Sequence, residues 1–401
     1  MSALAACGDD DCRHPAGLAL DLEAVPEGTA WYLRSGDGKA PALEGNVMSL
    51  ALDQEGEGVV AAGVLFDGSA TPQIFALKLD ERLCVVAAWR RPLEPAEAIL
   101  QAMVALPDGG LALGGWLPGP GGETDQDAWV ARYDGVGTAA WQATEGEFLY
   151  VSEELNTPSR EAVQALAYTD ELGLLAAGAA DINHALHSNW VLRFDADGKL
   201  LSRTDLPRDD PRVAGEMMTL VPGDEGTLWL AGMLAPKTPE ADAWVLRLDE
   251  DENLLWDRRY GEPGNQWVGA AVPFGKGGER GLAIVGSQGA NAGSDGWIAA
   301  IGEDGAPLWS SVLKRQAESG EVFHAAVWTG NALVAGGNSV QEGAGIRAWL
   351  AAFDSTGRQF SIETPAALAV DALLAWNGDS LLAGGSDLAG RPFLFLAPAA
   401  P

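Results

Sequence analysis

Seven apolar segments ending in glycine, seven aromatic-led segments following them, and a chain that stops one strand short together predict an all-β fold. The expected architecture is a seven-bladed β-propeller with four-stranded antiparallel blades, the ring closed by an N-terminal strand. The glycine-ended segments run from Val59 to Gly63, Leu111 to Gly115, Leu174 to Gly178, Leu228 to Gly232, Leu282 to Gly286, Leu333 to Gly337 and Leu381 to Gly385. Continuous apolar runs of this length suit strands buried on both faces, and the small endings are expected to let neighbouring sheets approach near the axis.

The aromatic anchors stand at Phe75, Trp129, Trp190, Trp244, Trp297, Trp349 and Phe393. The clearest copies are Asp127-Ala128-Trp129-Val130-Ala131-Arg132-Tyr133-Asp134 and Asp242-Ala243-Trp244-Val245-Leu246-Arg247-Leu248-Asp249. Successive anchors lie 54, 61, 54, 53, 52 and 44 residues apart, room for four strands per unit. An apolar stretch and turn precede each glycine-ended strand. A Gly-containing or acidic turn after each anchor leads to a fourth strand that often carries a tryptophan: Trp141, Trp256 or Trp309.

Residues 1–27 read as a tether and 28–401 as one domain. Blades are expected near 47–92, 97–147, 160–207, 213–262, 266–315, 321–365 and 366–401, the last completed from 18–45. No fourth strand follows Phe393 to Leu396, so Leu18 to Val25, Ala30 to Arg34 or Pro41 to Glu44 must cover the open edge.

Composition narrows the function. The 57 acidic residues against 25 basic ones leave a net charge of −32, which opposes nucleic acid and anionic membrane surfaces, because phosphate binding needs a basic patch. Three cysteines, Cys7, Cys12 and Cys84, are too few and too scattered for a zinc site. Cys84 is expected as a buried thiol, or paired with Cys12 in an oxidising compartment.

Leu4-Ala5-Ala6-Cys7-Gly8 resembles a bacterial lipobox, in which the cysteine is lipidated and becomes the new N-terminus. Only Met1, Ser2 and Ala3 precede it, a stub without the charged and apolar regions of an export signal, so the lipid-anchor expectation requires a start upstream. Gly8 then points to the outer membrane by resemblance to enterobacterial sorting; without an upstream signal the protein is cytoplasmic.

The run from Trp256 through Arg259-Tyr260-Gly261-Glu262 and Gly264-Asn265, then two apolar strands and Asp-x-Trp, resembles the tryptophan-anchored propeller repeats of secreted and surface-attached bacterial and archaeal proteins. It is distantly similar to the repeats of pyrroloquinoline-quinone enzymes and BamB-like outer-membrane assembly lipoproteins. The resemblance spans roughly 28–401 and bears on architecture, since one fold serves many functions.

Candidate chemistry is sparse. Arg34, Lys78, Arg132, Arg193 and Arg247 follow their anchors by three places and Asp80, Asp134, Asp195 and Asp249 follow two further on, so both fall on one strand face and are expected to form a turn-holding or blade-to-blade ion pair. Asp195-x-Asp197-Gly198 and Asp249-x-Asp251-x-Asn253 resemble the start of a calcium loop but lack its glutamate at position twelve, and read as hairpin turns. Weak surface calcium binding is the sole cofactor expectation. His184 and His187 share a loop with Asp181 and Asn183, without an identifiable third metal ligand.

No Gly-x-Ser-x-Gly, His-Glu-x-x-His or phosphate-cradling glycine motif occurs, and no catalytic residue is assigned. The long connections between second and third strands, and between blades, are expected on one face. On them Trp116, Phe148, Tyr150, His184, His187 and Trp267 are the candidate ligand contacts. The function expected is non-catalytic: a monomeric cell-envelope lipoprotein presenting a loop-rich face to a protein or glycan. The alternative is a hydrolase or lyase acting on polysaccharide or peptidoglycan with a carboxylate pair or His184.

Overall fold

The computed structural model describes residues 20–24, 30–35 and 43–398, apart from 67, 120–124, 145–158, 183–185, 207–214, 235–240, 262–263, 276–280, 290–293, 314–318, 342–344, 363–367, 378–379 and 388. The regular structure of these residues is strand, apart from one 3-10 turn at Asp224–Gly226.

Two strands lead the chain, β1 (Leu20–Ala24) and β2 (Ala30–Ser35). The first four-stranded sheet follows with β3 (Glu44–Leu52), β4 (Val59–Phe66), β5 (Gln73–Leu79) and β6 (Val85–Pro92). The next two units are β7 (Ile99–Ala105), β8 (Leu111–Pro118), β9 (Gln126–Tyr133) and β10 (Ala139–Thr144), then β11 (Ser159–Thr169), β12 (Gly173–Ile182), β13 (Leu186–Phe194) and β14 (Leu200–Leu206). A single parallel bridge, Arg160 to Gln126, joins these two into one eight-stranded sheet. Three further four-stranded sheets comprise β15 (Gly215–Pro222), β16 (Leu228–Leu234), β17 (Asp242–Leu248) and β18 (Leu254–Tyr260); β19 (Gln266–Phe274), β20 (Gly281–Gln288), β21 (Asp295–Gly302) and β22 (Pro307–Leu313); and β23 (Ser319–Trp328), β24 (Leu333–Gln341), β25 (Gly345–Phe353) and β26 (Gln359–Ile362). The chain ends with β27 (Leu368–Trp376), β28 (Ser380–Asp387) and β29 (Pro392–Pro398).

The exposed edge of β29 is covered by β2, antiparallel, with Ala30 opposite Phe395 and Tyr32 opposite Phe393. Strand β1 pairs outside β2 and also packs against β6, so the head of the chain touches both the last sheet and the first. Of the three segments proposed for this covering, Ala30 to Arg34 is the one that bonds to the C-terminal strand.

First strands of successive units pack on one another: β3 on β7, β7 on β11, and so on through β27, which packs back on β3. The apolar cores lie between sheets. One joins Leu175, Ala177 and Val191 to Leu230, Trp244 and Leu246 across two units; another joins Trp31 and Leu33 to Val59, Leu77 and Val85. Burying both faces of each second and third strand explains why those strands read as unbroken apolar runs.

Every inner strand carries a β-bulge at the same place, where the residue skipped in the register is Met48, Gln101, Gln164, Met218, Gly269, His324 or Asp371. The glycine that closes the apolar run within each second strand sits opposite that bulge. A Cβ there would press far inside van der Waals contact on the carbonyl oxygen two residues before the bulged one, for example Glu216 O at Gly232 and Val322 O at Gly337. On its other side the same glycine faces the anchor aromatic, Gly232 opposite Trp244 and Gly63 opposite Phe75. The two sequence landmarks are thus cross-strand neighbours in each unit, a ring laid beside the gap that the glycine leaves.

The close approach of sheets expected of the small endings is made at the position just before this glycine, within the same endings. At Gly114, Gly336 and Gly384 an added Cβ would meet a valine of the next unit, Val163, Val370 and Val47 respectively.

The fourth-strand tryptophans clasp the following unit. Trp89 Nε1 donates to Gly109 O at 3.2 Å, Trp141 to Ala196 O at 3.0 Å, Trp256 to Glu303 O at 3.0 Å and Trp309 to Ser355 O at 3.1 Å. Glycines at positive φ lie beneath these rings, a Cβ on Gly137 reaching 2.6 Å from Trp89 and on Gly357 2.7 Å from Trp309. Tyr260, its phenol pushed up to about 12 by burial, adds a bond to Gly305 O at 2.7 Å.

One unit departs from this scheme in both halves. Strand β14 carries Ser202 where β10 and β18 have Trp141 and Trp256, and the following turn has Glu252 at φ 62° where glycine is usual. The buried Glu252 carboxylate fills the vacancy, accepting from Ser202 Oγ and Thr204 Oγ1 at 2.6 Å each. Ser202→Trp alone is expected to clash with it, and Glu252→Gly alone to strand two hydroxyls. The double variant should recover stability, with a coupling of about 1–3 kcal/mol in a urea-denaturation cycle; strict additivity would refute the exchange.

Candidate functional site

The anchor-strand cations and the turn aspartates do not form the ion pair expected of them. Each aspartate holds its own turn: Asp134 Oδ1 accepts from the amides of Val136 and Thr138, Asp195 from Asp197 and Lys199, and Asp249 from Asp251 and Asn253. Strand pleating puts the pair on one face, but two amides two and four residues on saturate the carboxylate first. Bonds from the Asn253 backbone and side chain hold Asp249 below the ordinary carboxylate range. The cations go elsewhere: Lys78 to Asp53 at 3.5 Å, Arg132 to Asp108 at 3.1 Å, Arg193 to Leu172 O at 2.7 Å and Arg247 to Glu303 O at 2.8 Å. Arg247 reaches the next unit and the other three hold the first hairpin of their own unit, so the positions are structural.

Cys84, buried at the start of β6, is disulfide-bonded. The chain's other cysteines are Cys7 and Cys12, so the expectation of a free buried thiol is corrected.

Of the six residues expected on the ligand face, Trp116 and Trp267 are strand residues. Trp116 lies on β8 between Ile99 and Ala128, and Trp267 on β19 opposite Ser287; both are half-buried. Their assignment to loops is corrected: β8 continues past Gly115 to Pro118, and β19 already begins at Gln266. His187 is a β13 residue, paired with Asp181, whose side chain is outside the description. Phe148, Tyr150 and His184, like the lipobox cysteine Cys7, lie outside the described residues.

Trp267 is the member of that set that the fold draws into a cluster. It stands two residues before the bulged Gly269, and its indole lies over that glycine, a Cβ at 269 reaching 2.8 Å from the ring. Its edge meets the imidazole of His324, the bulged residue of the next unit, with centroids 5.6 Å apart at 72°. His324 Nε2 is 3.1 Å from Asn338 Oδ1; a carboxamide oxygen only accepts, so Nε2 carries a proton.

Beyond His324 comes Asp371, the bulged residue of the following unit. Burial pushes its carboxyl above the ordinary carboxylate range, against the opposing pull of His324 and of a hydrogen bond from Asn46. Asn46 belongs to the unit after that, on β3, and its Oδ1 is buried without a hydrogen-bond partner.

Four consecutive inner strands, β19, β23, β27 and β3, therefore contribute indole, imidazole, carboxyl and carboxamide to one arc. Bulging places His324 and Asp371 there, while Trp267 and Asn46 stand two residues before the bulges of their own strands. The extra residue turns a side chain out of the pleat toward the neighbouring inner strand, as Gln164 also shows by accepting from Met217 N at 3.0 Å. Because second strands run antiparallel to the first, the arc sits toward the end of the sheets that bears the long second-to-third-strand connections.

Sequence reading passed over His324, Asp371 and Asn46. A signal was present in Val322-Phe323-His324-Ala325 and Val370-Asp371-Ala372: an ionisable residue inside an apolar strand, at the same offset in two repeats.

No protein-family model matches the chain, and no curated protein matches it in sequence. Among solved structures, the BP39L lectin from Burkholderia pseudomallei aligns at a TM-score of 0.53 and 12% identity, covering 89% of this chain and 97% of that one. Drosophila Plexin A in complex with Semaphorin 1b aligns at 0.49 and 10% identity, over 89% and 88% of the two chains. The beta-propeller domain of the Trilobed protease from Pyrococcus furiosus aligns at 0.45 and 10% identity, over 88% and 95%. The fold in common is the β-propeller, and at these identities the likeness is one of fold.

Proposed function

We propose that the chain is a seven-bladed propeller, its ring closed where β2 joins β29, and that it is a non-catalytic binding module whose ligand sits on the inner-strand arc. The observation carrying this reading is the convergence of Trp267, His324, Asp371 and Asn46 from four successive units. Aromatic surface beside a few fixed polar groups is the usual make-up of a small recognition site. Cyclic packing of the first strands supports the ring, and the fold-level likeness to a lectin is in keeping with binding.

The setting proposed is the cell envelope, with a lipid on Cys7 and the protein monomeric. Disulfide bonding of Cys84 supports it, since such bonds persist in oxidising compartments. The wider partner is a protein or glycan.

A hydrolase or lyase acting on polysaccharide or peptidoglycan is the competing reading, favoured by one feature, the raised Asp371 carboxyl beside an imidazole. Purified protein incubated with peptidoglycan sacculi and with soluble polysaccharides should release no reducing ends or fragments. Turnover abolished by Asp371→Asn would replace the binding reading with the enzymatic one. Fractionation of cells expressing the full-length gene product should place the protein with membranes and Cys7→Ser in the soluble fraction; equal partition of both would remove the anchor.

A further inference from the structure

We infer that the arc recognises a neutral carbohydrate, one sugar ring stacking on Trp267 while its hydroxyls bridge Asp371, Asn46 and Asn338. This assignment rests on the binding reading above and names the ligand class for that site.

The argument is one of matched donors and acceptors. Asn46 Oδ1 is a buried acceptor without a donor, and such an atom is costly unless a partner arrives. Asp371 accepts from Asn46 and keeps further acceptor capacity; Asn338 Oδ1 accepts a hydrogen bond from His324 Nε2, and its N–H₂ remains to donate. A partner must therefore both give and receive hydrogen bonds over a short span. Neighbouring hydroxyls on a sugar do so, whereas an ammonium or guanidinium group only gives.

The indole supplies the second requirement. Trp267 is half-buried, pinned over Gly269 on one side and edge-on to His324 on the other, so its position is held before a ligand comes. Sugars carry C–H groups on one ring face, and a fixed aromatic plane beside hydrogen-bonding groups suits that mixed surface. A basic peptide is the competitor, since the net charge of −32 would draw it in. It would leave the Asn46 oxygen satisfied but the Asn338 donor opposed by another donor.

The test uses the whole chain and calorimetric titration with neutral tri- and tetrasaccharides of glucose, galactose, mannose and N-acetylglucosamine, with deca-lysine in parallel. At least one sugar series should bind with Kd between about 10 µM and 1 mM. Trp267→Ala and Asn46→Ala should each weaken it at least tenfold, and Trp267→Phe should largely restore it. Melting curves identify any variant that has lost its fold, for which Trp267→Phe and Asn338→Ala provide the alternative comparison.

Sugar binding unchanged in Trp267→Ala overturns the inference. So does deca-lysine binding that is lost in Asp371→Asn without any sugar binding; in that case the arc still binds and only the ligand class is wrong. If neither probe binds while an envelope partner is captured through the long connections, the arc itself is not the site and both readings fail together.

Discussion

Gly232→Ala is expected to lower the free energy of unfolding by about 4 kcal/mol, among the largest effects a single methyl group can have. The added carbon would run into the carbonyl oxygen of Glu216, with Glu216 C and Met217 Cα each 2.9 Å away, all of them backbone. No rotamer change relieves such a contact. Either the bulge in β15 must flatten or β15 must part from β16, and both moves disturb the core that joins Met217 to Leu230 and Trp244. Urea denaturation measures the loss, and Gly302→Ala serves as control because its nearest neighbour is a side-chain oxygen of Asp304 at 3.1 Å. That control should stay within about 1 kcal/mol of the parent. A loss below 1 kcal/mol at Gly232 would mean the carbonyl can move and that the conjunction of glycine and bulge is not what the sheet requires.

Breaking the Cys84 disulfide is expected to remove about 4 kcal/mol, the chain-entropy value for closing a loop of some seventy to eighty residues. By sequence the bond ties Cys84, next to β6, to one of the two cysteines that precede β1, and β1 itself packs on β6. Cys84→Ser, or reductant on the parent, should lower the melting midpoint by several degrees or more. Peptide mapping without reductant should show Cys84 joined to Cys12 in a protein lipidated at Cys7. Free thiols at both Cys12 and Cys84 in protein recovered from the envelope, with a midpoint indifferent to reductant, would refute the bond and take away the main support for export.

Much of the architecture was legible in the chain because repetition averages out local ambiguity. A single segment such as Leu228 to Gly232 is an apolar stretch compatible with many folds; seven of them at a steady period, each followed by an aromatic, define a four-stranded unit. The expectation that an N-terminal strand pairs with the third strand of the last unit is met by β2 on β29. Which segment does so was not legible. Leu18 to Val25 and Ala30 to Arg34 have similar apolar alternation, and both became strands; position against Phe393 and Phe395 assigned Ala30–Ser35 to the inner place.

The site was less legible, and the bulge is the reason. Strand pleating alone alternates side chains with a period of two, and from that rule His324 and Asp371 look like defects in apolar strands. One extra residue per inner strand breaks the alternation and turns them toward their neighbours, where Trp267 and Asn46 wait. In sequence the apolar run stops at the glycine, which puts Trp116 in a loop; in the structure that glycine is the point at which the strand passes the bulge and continues.

What the sequence determined by itself is the repeating unit: strand order, turn chemistry and the pairing of glycine with aromatic, all set by contacts within about fifty residues. Tertiary structure alone decided which side chains share a site, which cation meets which carboxylate, and that Cys84 is bonded. Those outcomes depend on residues from different units being brought together by the stacking of sheets, a relation that no local pattern in the chain encodes.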